Sequence, residues 1–150
     1  MTGIGYFKRG LTTWTCKGRA RRREYWYFVL FNGIISYLLM LLGIFIFGSP
    51  VAAYAEALQL GGNPVSAMVD LYTSPAYLPL WIYTLIVLVP QICLTIRRLH
   101  DTNRGGWWIF VGLIPFIGGI VLLVFMLLDS NPYENKYGNS PKLTADEEVL

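Results

Sequence analysis

Residues 25–55 read YWYFVLFNGIISYLLMLLGIFIFGSPVAAYA, 31 positions without one charged side chain. A helix crosses the hydrocarbon of a bilayer, about 30 Å, with about 20 residues, so this stretch is long enough to span. Two more uncharged runs follow, Leu71–Ile96 with 26 residues and Gly105–Leu128 with 24. The 150-residue chain is 55% hydrophobic and 14% charged, whereas soluble domains carry about 25% charged residues. A soluble globular domain, a disordered chain and a repeat array are excluded. The expected fold is an all-α membrane protein, one integral membrane domain over residues 1–150.

The charges are clumped. Met1–Tyr25 carries seven Lys/Arg against Glu24, residues 26–96 hold only Glu56 and Asp70, and Arg97–Gly106 has three arginines against Asp101. Lys/Arg beside apolar spans set topology, with the positive side kept in the cytoplasm. The N-terminus is therefore expected in the cytoplasm, and nucleic acid is not an expected partner. Residues 107–150 have two lysines against five acids, which gives no inward pull on the tail. Cys16 sits in the basic segment and Cys93 in an apolar run, so neither reads as half of a disulfide. His100 is the only histidine; no metal-type cluster exists, and no metal or cofactor is expected. Twenty-five mostly polar residues precede the first apolar run, which does not fit a cleavable signal peptide.

Working along the chain, Ile4, Phe7, Leu11 and Trp14 recur at helical spacing and predict a short basic amphipathic helix in the interface, within a cytoplasmic segment 1–25. The first transmembrane helix is expected over 26–48. Ser49-Pro50, Asn63-Pro64 and Ser74-Pro75 each pair a capping residue with proline, the signature of a helix start. Two short helices, about 50–60 and 64–72, are thus expected in an outer loop 49–76. A second transmembrane helix over 77–96 contains Pro90, which removes a helix hydrogen bond. A cytoplasmic Arg-rich loop follows at 97–106, then a third transmembrane helix at 107–128 kinked at Pro115, and a polar tail at 129–150 with disorder from Ala145 onward. A re-entrant hairpin is the alternative to the kinked crossing. The crossing is preferred because bent backbone at mid-depth must be buried in protein. That preference puts the tail in the periplasm.

The polar residues concentrate in two places. Arg19, Arg22, Arg23 and Glu24 precede the first span, and Arg97, Arg98, His100, Asp101 and Arg104 lie after the second. Guanidiniums near a membrane surface suit phosphate or a partner's carboxylates, so these nine are the candidates for binding anionic lipid or a protein partner. Glu24 and Asp101 are expected to pair with arginines of the facing segment. Trp26, Trp107 and Trp108 are expected as interfacial anchors. His100 beside Asp101 suggests general-base chemistry, but adjacent residues seldom face each other and no nucleophile is identifiable, so no catalytic residue is assigned. The spans lack Asp, Glu, Lys, Arg and His, which disfavours proton relays and charge-coupled transport.

Three motifs carry a resemblance. Gly18–Trp26 resembles a G-R-A-x-R-x-E-[YF]-W entry, Arg97–Trp108 an R-R-L-H-D-T-x-R-x-x-W-W loop followed by I-P-F-I-G at Ile114–Gly118, and Asn135–Pro141 an N-x-[YF]-G-x-x-P ending. Over about residues 16–142 the chain is similar to domain of unknown function 805, a family of small bacterial inner-membrane proteins. It departs in its extended outer segment, at Ser130–Tyr133 and in its acidic end. The resemblance implies a multi-pass protein of the inner (plasma) membrane and implies no reaction. The expected function is non-enzymatic, a cytoplasmic Arg/His/Asp face binding anionic membrane lipid or an unidentified protein partner. The alternatives are a homo-oligomeric pore for a small solute, with Asn32, Ser36, Thr84, Gln91 and Thr95 on one wall, and an enzyme acting on lipid headgroups.

Overall fold

The computed structural model describes residues 2–141, so the disorder expected from Ala145 onward lies outside the described residues. In chain order it contains α1 (Gly3–Thr12), α2 (Arg22–Phe47), α3 (Pro50–Gln59), α4 (Pro64–Thr73), a 3-10 turn (Pro75–Tyr77), α5 (Leu78–Asp101), a 3-10 helix (Gly106–Leu113) and α6 (Ile117–Leu127). Among the described residues, extended pairing is limited to one isolated bridge, Asn135 with Gly138. Two helices are long and apolar enough to cross a membrane. α2 has 26 residues, or about 39 Å at 1.5 Å per residue, and α5 has 24. Their uncharged cores run from Trp26 to Phe47 and from Leu78 to Ile96; the charged ends lie beyond them.

The chain divides into two compact units, Asn32–Ile86 and the pair of segments Met1–Phe31 and Val87–Leu150. In Asn32–Ile86 the three capping devices form as the sequence predicts. The side chain of Ser49 accepts from the Ala52 N–H at 3.3 Å, Asn63 from Val65 at 2.9 Å and Ser74 from Ala76 at 3.3 Å. Each cap is followed by proline, whose missing N–H is no loss at the first helical position. Inside this unit α2 comes against the Pro75–Tyr77 turn so closely that a Cβ on Gly43 would sit 1.8 Å from the Ala76 carbonyl oxygen. The hydroxyl of Tyr83 donates to Asn32. The outward faces are apolar, with Phe45 88% and Leu85 70% exposed, as lipid contact requires.

In the other unit α1 lies on the start of α2. Phe7 packs its ring 5.7 Å from Phe28 and 5.3 Å from Phe31. Gly10 is buried against Phe28, whose ring would clash with any Cβ there. Phe28 is fully buried, which contributes about 1.5–3 kcal/mol. The predicted stripe is only partly used: Ile4 is exposed, and Trp14 lies beyond the helix end and is exposed.

The single kinked helix expected over 107–128 does not form. The Gly106–Leu113 3-10 helix and α6 fold back on each other as a hairpin: a Cβ on Gly118 would lie 2.0 Å from the Val111 carbonyl oxygen, and one on Gly112 would lie 2.7 Å from Leu122. Trp108 meets Phe125 edge-on at 5.3 Å. Between the arms, Ile117 N–H donates to the Pro115 carbonyl at 2.7 Å, and Phe116 has φ 63° and ψ −52°. That is a three-residue γ-turn with its central residue in the strained mirror form, and it reverses the chain within one residue. The physical reason for the hairpin is long-range, because the far ends of its arms are held together by the network described below.

Two further corrections follow from the same packing. The tail, expected on the opposite side from the arginine loop, is docked on it: Asn131 N–H donates to the Asp101 carbonyl at 3.0 Å. Cys16 and Cys93, expected as separate thiols, form a disulfide with Cα atoms 4.2 Å apart. The sequence separation of 77 hid a pairing that exists only because the segment after α1 runs beside α5. The Ala20 N–H donates to the Arg97 carbonyl at 3.1 Å in the same seam.

Candidate functional site

The C-terminus of α5 sets the stage. Arg104 N–H reaches the Leu99 carbonyl at 2.9 Å and Asn103 N–H the His100 carbonyl at 3.0 Å, with Asn103 in the left-handed region at φ 59°. This is a Schellman stop, with asparagine in the position glycine usually takes. It turns the chain at Asp101 so that the carboxylate stays in the interior.

Asp101 is fully buried between two guanidiniums. Arg19 Nε donates to its Oδ1 at 3.0 Å, and Arg98 Nη1 pairs with its Oδ2. A carboxylate is misplaced at the negative end of a helix, so these two cations are what hold it there. Arg19 has five N–H donors, and the chain meets all five. Besides Asp101 Oδ1, they reach the carbonyls of Tyr133 at 2.9 Å, Gly138 at 3.1 Å, Asp101 at 3.4 Å and Asn131. Arg98 gives its other donors to the carbonyls of Met126 and Leu128, capping the C-terminal end of α6. Arg22 adds a second cap, donating to the Leu127 carbonyl at 2.9 Å and pairing with Asp129 at 2.9 Å. Cations at a helix C-terminus are favoured by the peptide dipoles. The hairpin closes because its last turn is tied to the start of α2 and the end of α5.

A second pair lies beside the first. Arg97 Nη1 is 3.1 Å from Glu24 Oε1, both side chains about 95% buried at 4% and 5% exposure. Glu24 stands just before the apolar core of α2. Burial holds its carboxyl above the ordinary range against the opposing pull of Arg97 and Arg9. The expected pairing of Glu24 and Asp101 with arginines is therefore present in the structure, with Arg97, Arg98 and Arg19 as the partners.

His100 does not face Asp101. Its Nδ1 lies 3.2 Å from the Gly18 carbonyl, which requires a proton on Nδ1 because a carbonyl only accepts. Its ring stacks on Tyr137 at 3.7 Å and 6°, and its own carbonyl accepts from Asn135 Nδ2 at 3.0 Å. Burial lowers the imidazole pKa from 6.5, with Lys136 pushing the same way and the Gly18 bond opposing.

The tail motif now has a physical content. Asn135 and Gly138 exchange hydrogen bonds of 3.2 and 2.9 Å, and the Asn135 side chain accepts from Tyr137 N–H at 2.9 Å. Gly138 has φ 116°, a backbone that side chains disfavour. The turn thereby aims the Gly138 carbonyl at Arg19 and lays the Tyr137 ring on His100. Sequence reasoning missed Asn131, Tyr133 and Gly138 as partners of Arg19 and Tyr137 as the partner of His100; the N-x-Y-G spacing was the signal available.

Of the nine candidates, Arg19, Arg98 and Asp101 form one buried cluster, Glu24 and Arg97 a second, and Arg22 and His100 brace its edges. Arg104 stands apart from that cluster, its guanidinium 4.2 Å over the Phe125 ring. Arg23 is exposed. Trp107 is 82% exposed and Trp108 45%, while Trp26 is half-buried against Tyr25. Among the described residues no group of three or more His, Cys, Asp or Glu is placed to hold a metal.

Fold and site together define an all-helical protein with two membrane-length helices and a buried arginine–carboxylate network at their polar ends. It belongs to the family described as Protein of unknown function (DUF805), whose profile matches residues 13–139. Over 127 residues it is 36% identical to the inner membrane protein YhaH of Escherichia coli strain K12, covering 85% of this chain and 87% of that protein. Over 129 residues it is likewise 36% identical to the inner membrane protein YhaI of the same strain, covering 86% and 87%. No solved structure matches it.

Proposed function

We propose that the chain is a non-enzymatic, multi-pass protein of the bacterial inner membrane whose basic cytoplasmic rim binds anionic lipid. In this reading α2 and α5 cross the bilayer, the Gly106–Leu127 hairpin enters and leaves the cytoplasmic leaflet, and both termini are cytoplasmic. The inner-membrane relatives and the clustering of Lys/Arg before the apolar core of α2 and beyond that of α5 support it.

One observation carries the binding part. The donors of Arg19 and Arg98 are met by the chain's own acceptors, so these two hold the architecture together. Lys8, Arg9, Lys17 and Arg23 are exposed, and among the described residues the buried Glu24 acts on one of them, Arg9, which leaves a rim short of negative charge. Anionic headgroups supply that charge, at about 1 kcal/mol per Lys/Arg near the surface. Against a solute pore stands the local bonding of three of the five side chains that would line it, although the Asn32 amide nitrogen has no hydrogen-bond partner among the described residues. Thr84 and Thr95 donate to their own helix carbonyls at 2.8 Å each, and Asn32 accepts from Tyr83. The separate partners of His100 and Asp101 argue against headgroup chemistry.

The test is the melting temperature of the detergent-solubilised protein with added phosphatidylglycerol or phosphatidylcholine. Phosphatidylglycerol should stabilise more, the difference should shrink at high salt, and Lys8→Ser/Arg9→Ser/Arg23→Ser should abolish it. Equal stabilisation by the two lipids refutes the reading, as does a difference that the triple variant keeps.

A further inference from the structure

We infer that the groove between α5 and the Gly106–Leu113 helix is a built site for one acyl chain of a membrane phospholipid, an inference that rests on the membrane reading above but not on its anionic-lipid part. The groove has a volume of about 560 Å³ and is walled by Ile92 and Ile96 on one side and Ile109, Phe110 and Leu113 on the other, with Gly106 and Trp107 at one end. That volume lies within the range of small-ligand pockets, about 300–1,000 Å³. Beyond the Trp107 indole N–H at the Gly106 end, the lining side chains are hydrocarbon, so its occupant is apolar along its length.

The hairpin specifies how long that occupant is. Eight residues of 3-10 helix rise about 16 Å at about 2.0 Å each, half of a hydrocarbon core of about 30 Å. The groove beside it therefore runs the depth of one leaflet, the depth of one acyl chain. Its Gly106 end differs from the rest. The 3-10 helix begins there without a side-chain cap, leaving the first N–H groups without intrahelical acceptors. Its positive dipole end complements a lipid phosphate. His100 Nε2 stands 3.7 Å from where a Gly106 Cβ would be. With Nδ1 protonated toward Gly18, Nε2 is an acceptor for a headgroup hydroxyl or ammonium. Apolar walls of leaflet depth and a polar mouth at the same end match one amphiphile, a phospholipid. A Cβ on Gly106 would also come 3.1 Å from Ile96, so glycine there keeps the mouth open.

The experiment is native mass spectrometry of the full chain released from detergent after incubation with phosphatidylethanolamine or phosphatidylglycerol. Wild type should retain one lipid copy above the stepwise background. Ile92→Trp and Leu113→Trp, which fill the groove, should lower the retained fraction about tenfold, equivalent to about 1.4 kcal/mol. Leu85→Trp, on the exposed face of α5 outside the groove, should leave it unchanged. Circular dichroism melts confirm that each variant is folded, and either groove variant alone suffices if the other is not. No retained copy in wild type overturns the inference, as does equal loss in Leu85→Trp. A retained copy alongside equal stabilisation by phosphatidylglycerol and phosphatidylcholine would overturn the rim reading only.

Discussion

Removing the charge of Asp101 should be the most damaging single change at the polar end. Asp101→Asn keeps the side-chain volume and leaves an oxygen for Arg19 Nε, but turns an amide toward Arg98 and removes the carboxylate that both cations contact. Two guanidiniums, 0% and 8% exposed, then lose the counter-charge between them. Breaking a buried pair from one side costs about 3–5 kcal/mol. For a chain of this size about 2–4 °C of melting temperature is lost per kcal/mol, so the melt should fall by about 6–20 °C. Arg22→Ser is the control, because Arg22 and Asp129 are 44% and 58% exposed and such pairs contribute about 0–1 kcal/mol. The assay is thermal unfolding in a mild detergent, followed by circular dichroism. The reasoning is refuted if Asp101→Asn melts within 2 °C of Arg22→Ser, about the effect of 1 kcal/mol or less.

Other outcomes follow from single positions. Gly43→Ala should destabilise by several kcal/mol because the new methyl meets the Ala76 carbonyl at 1.8 Å, whereas Gly33→Ala, which meets nothing within 4 Å, should be neutral or slightly stabilising; comparative melts decide. Gly138→Ala forces a side chain into φ 116°, costs about 1–3 kcal/mol and should speed tryptic cleavage at Lys136 as the tail leaves Arg19. His100 binds its proton less readily in the native state than at its ordinary 6.5. Its contribution to stability is therefore full above 6.5 and lost as pH falls through the lower native value. His100→Gln should flatten that part of a melting profile taken from about pH 7.5 to 5.5. Alkylation followed by mass measurement should find the Cys16–Cys93 bond closed in membranes purified in air and open as two thiols in intact cells, where the reducing cytoplasm meets the arginine end; a disulfide in intact cells would overturn that placement.

What the sequence displays depends on how local the deciding contacts are. The Ser-Pro and Asn-Pro pairs placed α3, α4 and the start of α5, because a cap and its N–H lie within three residues of each other. The apolar cores of α2 and α5 were readable from where charge stops, but their polar ends were not: α2 begins at Arg22, and α5 carries Arg97–Asp101, expected as loop, as its last helical turn because Arg97, Arg98, Leu99 and Asp101 are buried there. The hairpin was not: Pro115–Gly119 permits a kink or a reversal, and the choice rests on buried Arg98 reaching carbonyls 28–30 residues away, with exposed Arg22 adding a weaker bond 105 residues away. The clustering of arginines with Glu24 and Asp101 was legible as composition. That Arg19 and Arg98 serve the chain's own backbone was not, since carbonyl acceptors carry no sequence signature. The disulfide escaped because Cys16 and Cys93 are 77 residues apart, in a basic segment and an apolar run that nothing local brings together.

The five-fold engagement of Arg19 also orders events in time. Its acceptors lie at Asp101, Asn131, Tyr133 and Gly138, and the three tail residues are made 112 to 119 residues later. At about 5–20 residues per second, Arg19 waits roughly 6–24 s from its own synthesis until its last acceptor exists. Asp101, 82 residues on, supplies its first two acceptors. The tail through Gly138 supplies the other three. A product truncated before Asn131 keeps a partly unmet guanidinium at the polar end, so the first arginine of the entry motif serves as the chain's own proof of completion.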